Sequence, residues 1–256
     1  MPAGLPAECV GEATMKGIVL AGGMGTRMLP LTQEDNKHLL PVYKRRMVEY
    51  PLLTLVGAGI TDIVLVTGGK RPGAFLELLR NGKSLGIDRL NYAYQEGSGG
   101  IADALKLASN FIAREEPCTV ILGDNYFEDG ISSGVLDWKK RGSGAHVFLQ
   151  ETNRPWDFGI AEIDHRVGVV SIEEKPPEPK SNMAILGAYI FDYSVWDRIK
   201  NVKPSSRGEL EITDLLKFYM DTAELSYSLY GGFWSDMGSF GSWSEVSARV
   251  AAKTDV

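Results

Sequence analysis

The run Gly22-Gly23-Met24-Gly25-Thr26-Arg27 directly follows a short apolar stretch, Lys16 to Ala21, so it reads as a tight loop at the end of a buried strand. A loop poor in side chains lets backbone N–H groups approach phosphate oxygens closely. Two common phosphate loops do not fit. Met28 stands where the dinucleotide fingerprint needs its third glycine, and no Gly-Lys-Ser/Thr completes a P-loop. Glycine pairs also make simple turns, so the loop has to be weighed with its neighbours. Arg27 closes it, and Lys37 follows in Asn36-Lys37-His38-Leu39-Leu40-Pro41. These two cations could reach a triphosphate from one side, although each alone could equally be a solvated surface charge. A second apolar run, Cys118 to Leu122, stops at Gly123-Asp124-Asn125. An aspartate in that position, taken by itself, more often caps a turn than binds a ligand.

Such groups need a scaffold, and the chain can supply one. It has 256 residues and 44% apolar content, enough to bury a substantial α/β core. Short apolar runs at Lys16–Ala21, Asp62–Thr67, Leu90–Tyr94, Cys118–Leu122 and Ala145–Leu149 predict buried strands, with a helix around Met47 to Ala58. Ile101, Leu105, Ala108 and Ile112 recur at helical spacing, so Gly100 to Ala113 presents one apolar face. This alternation implies a doubly wound, mostly parallel sheet with helices on both faces, whose ligands sit beyond the carboxyl ends of the strands. After about residue 150 the pattern changes. Gly159–Ile163 and Val167–Ile172 flank the turn-sized Asp164-His165-Arg166, which predicts an antiparallel hairpin in a smaller second lobe. Strands at Ala184–Phe191 and Leu225–Tyr230 and a closing helix at Phe240–Ala252 complete it. A single domain over residues 15–256 is expected, with halves at about 15–150 and 151–256, after a disordered extension at residues 1–14.

Charge and side-chain inventory exclude several classes. With 33 acidic against 27 basic residues the net charge is -6, which does not invite a nucleic acid partner. No run of about 18 apolar residues could span a bilayer and no secretory leader opens the chain, so a cytoplasmic location without membrane contact is expected. Cys9 and Cys118 do not suggest a disulfide, and Cys118 reads as a small buried hydrophobe. His38, His146 and His165 lack metal-ligand spacing. Phe233, Trp234 and Trp243 read as core or interface rather than a stacking surface.

The run from Lys16 to Arg27, with Lys37 and Leu40-Pro41-Val42, resembles the signature of the sugar-1-phosphate nucleotidyltransferases. The resemblance continues through Leu122-Gly123-Asp124-Asn125, Glu173-Glu174-Lys175-Pro176, Pro179-Lys180-Ser181-Asn182, Arg207 to Asp214 and Trp234-Ser235-Asp236-Met237-Gly238. It is closest to the glucose-1-phosphate thymidylyltransferases. That resemblance implies a Rossmann-like nucleotide half, a sugar-binding half, a nucleoside triphosphate and a sugar 1-phosphate as substrates, and a homo-oligomer. It also implies Mg2+, held by Asp124 and Asp236. The catalytic positions would be Arg27, Lys37, Asp124 and Lys175. The nucleotide would meet Leu20, Gly22, Gly23, Gly25, Thr26, Arg27, Gln95, Gly100 and Asp124, with the amide of Gln95 reading the base edge. Gly159, Glu174, Lys175, Tyr189 and Arg207 would take the sugar phosphate.

The chain departs from the family pattern at several points. Gly99-Gly100 replaces an Asp-Gly pair, Phe158 a tyrosine, Leu186 a small or polar residue, and Lys44-Arg45-Arg46 an Asp-Lys-Pro sequence. The first three leave open UTP or another sugar 1-phosphate as substrate. An inactive binding paralogue is the alternative from another class.

Overall fold

The computed structural model describes residues 14–23 and 25–254. Cys9 and the expected extension before Thr14 lie outside the described residues, as does Met24.

Strand β1 (Lys16–Ala21) is buried along its whole length. A continuous apolar run of this kind belongs in the middle of a parallel sheet, covered on both faces. The chain then makes a small hairpin, β2 (Pro41–Val42) and β3 (Arg45–Arg46), followed by α1 (Glu49–Gly57), β4 (Asp62–Gly68), α2 (Gly73–Leu79), β5 (Arg89–Gln95), α3 (Ile101–Ala108) and β6 (Cys118–Leu122). β1 pairs in parallel with both β4 and β6, and β4 with β5. Alternate residues face opposite cores. Ile18 and Leu20 pack with α3, whereas Val19 and Ala21 pack with Leu52 and Leu55 of α1 and Phe75 of α2. Helices therefore cover both faces, as the doubly wound pattern requires.

The second half contains β7 (Asn125–Phe127), α4 (Ser132–Arg141), β8 (Ala145–Glu151), the hairpin β9 (Gly159–Asp164) and β10 (Gly168–Glu174), and β11 (Met183–Phe191). It ends with α5 (Val195–Arg198), α6 (Ile212–Asp221), β12 (Leu225–Leu229), β13 (Trp234–Asp236) and α7 (Phe240–Thr254). The antiparallel part expected here is continuous with the central sheet. β11 pairs with β6 through Ala188–Phe191 and with β9 at Met183 and Ala184, giving, among the described residues, nine strands in one sheet. β7 and β13 form a separate two-stranded ladder.

Boundaries moved in places. The helix expected over Gly100–Ala113 stops at Ala108 and tightens into a 3-10 turn, Ser109–Phe111. There the Ser109 hydroxyl donates to the Lys106 carbonyl at 2.6 Å, a local bond that competes with continued helix. No helix among the described residues is long and apolar enough to cross a membrane.

Candidate active site

The glycine loop leaves the carboxyl end of β1, and Gly25 has φ +67°, a left-handed conformation suited to a residue without Cβ. Asn36 fastens the following segment to the sheet. Its Nδ2 donates to the carbonyls of Gly68 at 2.8 Å and Ala21 at 3.4 Å, and its Oδ1 accepts from the His38 backbone N–H at 3.0 Å. His38 Nδ1 lies 2.7 Å from the same oxygen. Burial and the neighbouring Lys37 push the His38 pKa down to about 3, so the ring is neutral. Held on both sides, Lys37 passes over the loop: its Cε would lie 3.4 Å from a Cβ placed on Gly23, and its ammonium pairs with Asp124.

Asp124 follows β6 directly. Burial favours its neutral form, but Lys37, with hydrogen bonds from Lys37 and Asn125, outweighs this and holds the carboxyl well below its usual range. Asp236 reaches the same place from β13. In the β7–β13 ladder Asp236 stands opposite Asn125, and the Met237 N–H donates to the Asp124 carbonyl at 2.7 Å. Burial and then the charge of Asp124 raise the Asp236 pKa to about 6, against the opposing pull of Arg27. Asn125 ties the arrangement together. Its Nδ2 donates to Asp124 Oδ1 at 3.0 Å and its Oδ1 accepts from Trp234 Nε1 at 2.7 Å.

Two cavities meet at Asp124. One, of about 460 Å³, is bounded by Leu20, Gly22, Gly23, Gly25, Thr26, Lys37, Gln95 and Gly100. The other, of about 150 Å³, is bounded by Arg27, Gly159, Glu174, Lys175, Tyr189 and Asp236. Asp124, Leu122 and Ile101 line both, so the two are ends of one cleft at the carboxyl edge of the parallel strands.

In the smaller cavity Glu174 is the hub. Its Oε2 accepts from Thr213 Oγ1 at 3.1 Å, and its Oε1 lies 3.2 Å from Arg207 Nη2 and 3.7 Å from Lys175 Nζ. Tyr189 forms part of the wall, its hydroxyl pushed far above its ordinary pKa by burial. Phe158 meets Trp234 edge to face at 5.3 Å.

The structure thus brings together every candidate site residue except Arg207, which lines neither cavity. Arg207 pairs with Glu174, at 2.8 Å with Glu211 and at 3.9 Å with Glu209, so it meets the cleft through Glu174 of the smaller cavity and Glu209 of the larger. Four other readings are revised or filled in. Trp234 is part of the cleft wall rather than core alone. Leu186 is fully buried in the core on the α1 side, away from the cavity that Ile185, Gly187 and Tyr189 face, so it bears on packing and not on the sugar. Cys118 is a free, buried thiol whose pKa burial drives upward. In the basic segment, Arg46 donates to the Leu39 carbonyl at 3.1 Å and Arg45 pairs with Glu49 at 3.6 Å, which explains it as hairpin structure. Sequence reasoning missed Asn36, Asn125, Asp103 and Thr213. Their partners lie far along the chain or around a turn, and no spacing rule links them.

Hard carboxylate oxygens at Asp124 and Asp236, repelling one another in a buried setting, suit a divalent cation. Among the described residues no three His, Cys, Asp or Glu side chains cluster as a self-sufficient metal site, so such an ion would complete its shell with phosphate oxygens and water.

The nucleotidyl transferase family model matches residues 16–253. A glucose-1-phosphate thymidylyltransferase of Neisseria gonorrhoeae is 41% identical over 239 residues, covering 92% of this chain and 82% of that protein. One of Mycolicibacterium smegmatis is 38% identical over 239 residues, with the same coverage. Among solved structures, a Bacillus anthracis protein designated a glucose-1-phosphate thymidylyltransferase, in complex with a sucrose, superposes with a TM-score of 0.86 at 41% identity, covering 92% of this chain and 94% of the other. A UDP-glucose pyrophosphorylase complexed with UDP-glucose shares the fold, with a TM-score of 0.81 at 22% identity, covering 93% and 99%. The chain belongs to the nucleotidyl transferase family and is a nucleotidyltransferase.

Proposed function

We propose that this protein transfers the thymidylyl group of dTTP to glucose 1-phosphate, releasing pyrophosphate and forming dTDP-glucose. The observation that carries the reading is the junction of the two cavities at Asp124, with Lys37 on one side and Arg27, Lys175 and Asp236 on the other. A triphosphate laid along the glycine loop would bring its α-phosphate to that junction, with its base toward Gln95. A hexose beside Glu174 and Tyr189 would present its 1-phosphate from the opposite end.

The nucleophile is a phosphate oxygen of the sugar 1-phosphate, which forms a bond to the α-phosphorus as the bond to the pyrophosphate oxygen breaks. With a second pKa near ~6, that phosphate is already largely dianionic at neutral pH, so no general base is needed. The protein has to bring two polyanions together and stabilise the charge that shifts onto the departing oxygen. Lys37, in the larger cavity, would serve the triphosphate, Arg27 and Lys175, in the smaller one, the junction and the sugar phosphate, while Arg207 would hold Glu174 in place. Glu174 can accept hydrogen bonds from two hydroxyls, which selects a hexose over an analogue lacking them. Asp124 and Asp236 would hold Mg2+, which when bound neutralises phosphate charge at the junction.

A panel crossing dTTP, UTP, CTP, ATP and GTP with glucose, galactose, mannose and N-acetylglucosamine 1-phosphates, scored by pyrophosphate release with magnesium, tests this. The highest kcat/KM is expected for dTTP with glucose 1-phosphate. A clear optimum with another pair reassigns the substrates, and no release from any pair rejects the reaction.

A further inference from the structure

Gln95 ends β5 and is buried, with 4% of its surface exposed, at the wall of the larger cavity. Its Nε2 donates to the Gly100 carbonyl at 3.2 Å and to Asp103 Oδ2 at 2.9 Å. A side-chain amide has two N–H donors, so both are used. Oε1 faces Gly22 closely enough that a Cβ there would come within 2.4 Å of it. Among the described residues no donor reaches Oε1, yet it is not a sealed orphan atom. It is therefore open to the cavity. An amide's two ends are alike in shape, and its partners decide its orientation. Here both partners of Nε2, a carbonyl and a carboxylate, are acceptors. Asp103 lies in the first turn of α3, and a Cβ on Gly99 would meet its Oδ2 at 2.5 Å, so the carboxylate is pressed against the loop backbone.

We infer that Asp103 is a positioning residue for base selection: it holds the Gln95 amide with the acceptor toward the cavity, so the site takes a base whose pairing edge presents a central N–H. Thymine and uracil do so at N3, whereas cytosine N3 is itself an acceptor. The inference rests on the proposed nucleotidyl transfer, because it takes the Gln95 cavity as the seat of the base.

Asparagine at 103 can donate to Gln95 Oε1, which lets the amide turn and offer Nε2 instead. The full chain and its Asp103→Asn variant are compared for dTTP and CTP in two ways: calorimetric binding with magnesium and no sugar phosphate, and steady-state pyrophosphate release with glucose 1-phosphate. Wild type is expected to prefer dTTP. Asp103→Asn should weaken dTTP binding by about 10-fold, the scale of one hydrogen bond lost from a built site, raise KM with kcat within about 2-fold, and narrow the dTTP/CTP ratio by a similar factor. Asp103→Ala, which removes the acceptor without supplying a donor, serves if the asparagine variant does not fold and should narrow the ratio less. A wild type that binds the two equally, or variants that leave the ratio unchanged, overturns the inference while leaving any observed reaction standing. The predicted shift in binding without pyrophosphate release from any pair supports the inference and rejects the reaction.

Discussion

At the end of the cleft formed by the glycine loop, the walls are mostly backbone and neutral side chains. Asn36, neutral His38 and the Gln95 amide are buried and hydrogen-bonded in place, Lys37 pairs with Asp124, and Glu209, paired with Arg207, also lines that end. At the other end Glu174 is shared among Thr213, Lys175 and Arg207, and Arg207, 40% exposed, is further held by Glu211. The hydrogen bonds of the first arrangement fix its neutral side chains in place. In the second, an incoming phosphate would compete with carboxylates for the same cations, so binding would reorganise an ion-pair network. Affinity at the loop end should thus depend on shape and hydrogen-bond direction, and at the Glu174 end on ionic strength and on single charges.

Perturbations can break or sharpen that contrast. The largest effect is expected for Arg27→Ala, which removes the cation beside Gly238 and Asp236 at the junction. kcat/KM should fall by roughly 10² to 10³ in a pyrophosphate-release assay, the scale of a lost charge-stabilising donor. Near-wild-type turnover with saturating magnesium would remove Arg27 from the reaction. Next, Glu174→Gln should raise KM for the sugar 1-phosphate by about 10- to 100-fold, since the hub of the network is neutralised. The KM for dTTP should stay within about 2-fold, and equal rises in both KM values would erase the contrast between the two ends.

The two aspartates offer a sharper comparison. The Asp236 pKa stands near 6 in the folded protein against 3.8 unfolded, so folding favours its proton. Its ionisation therefore costs stability as pH rises from about 4 to about 6, and the full cost remains above that window. Without metal, Asp236→Asn should stabilise the protein at pH 8 by about 1–3 kcal/mol, a gain that disappears below about pH 4. Asp124→Asn should have the opposite sign, about 2 kcal/mol less stable, because Lys37 loses its buried partner. Thermal melts in chelator across pH would show whether the signs differ. The smallest effect is expected for Trp234→Phe, which leaves Asn125 Oδ1 without its indole donor and should cost about 1 kcal/mol in chemical denaturation.

Much of this was legible in the sequence where structure is local. Central strands are continuous apolar runs, and the loop and Asp124 follow them directly. The α6 face, Ile212, Leu215, Leu216 and Tyr219, has helical spacing that could have been read. Strand parity could likewise have turned Leu186 away from the cavity, since Ile185 and Gly187 flank it and a strand alternates faces. The β7–β13 ladder was beyond reach, because three-residue strands separated by about a hundred positions leave no periodic signal. Asp103 was hidden for another reason: on a helix it resembles any first-turn acid, and only the Gln95 contact gives it a task.

The most direct test of the two-ended cleft is a crystal structure of the protein with dTDP-glucose. The thymine is expected against Gln95 and Gly22, the diphosphate at Asp124 with Arg27 and Lys175 in reach, and the hexose hydroxyls on Glu174. A product bound in the reverse sense, or seated away from Asp124, would contradict the account.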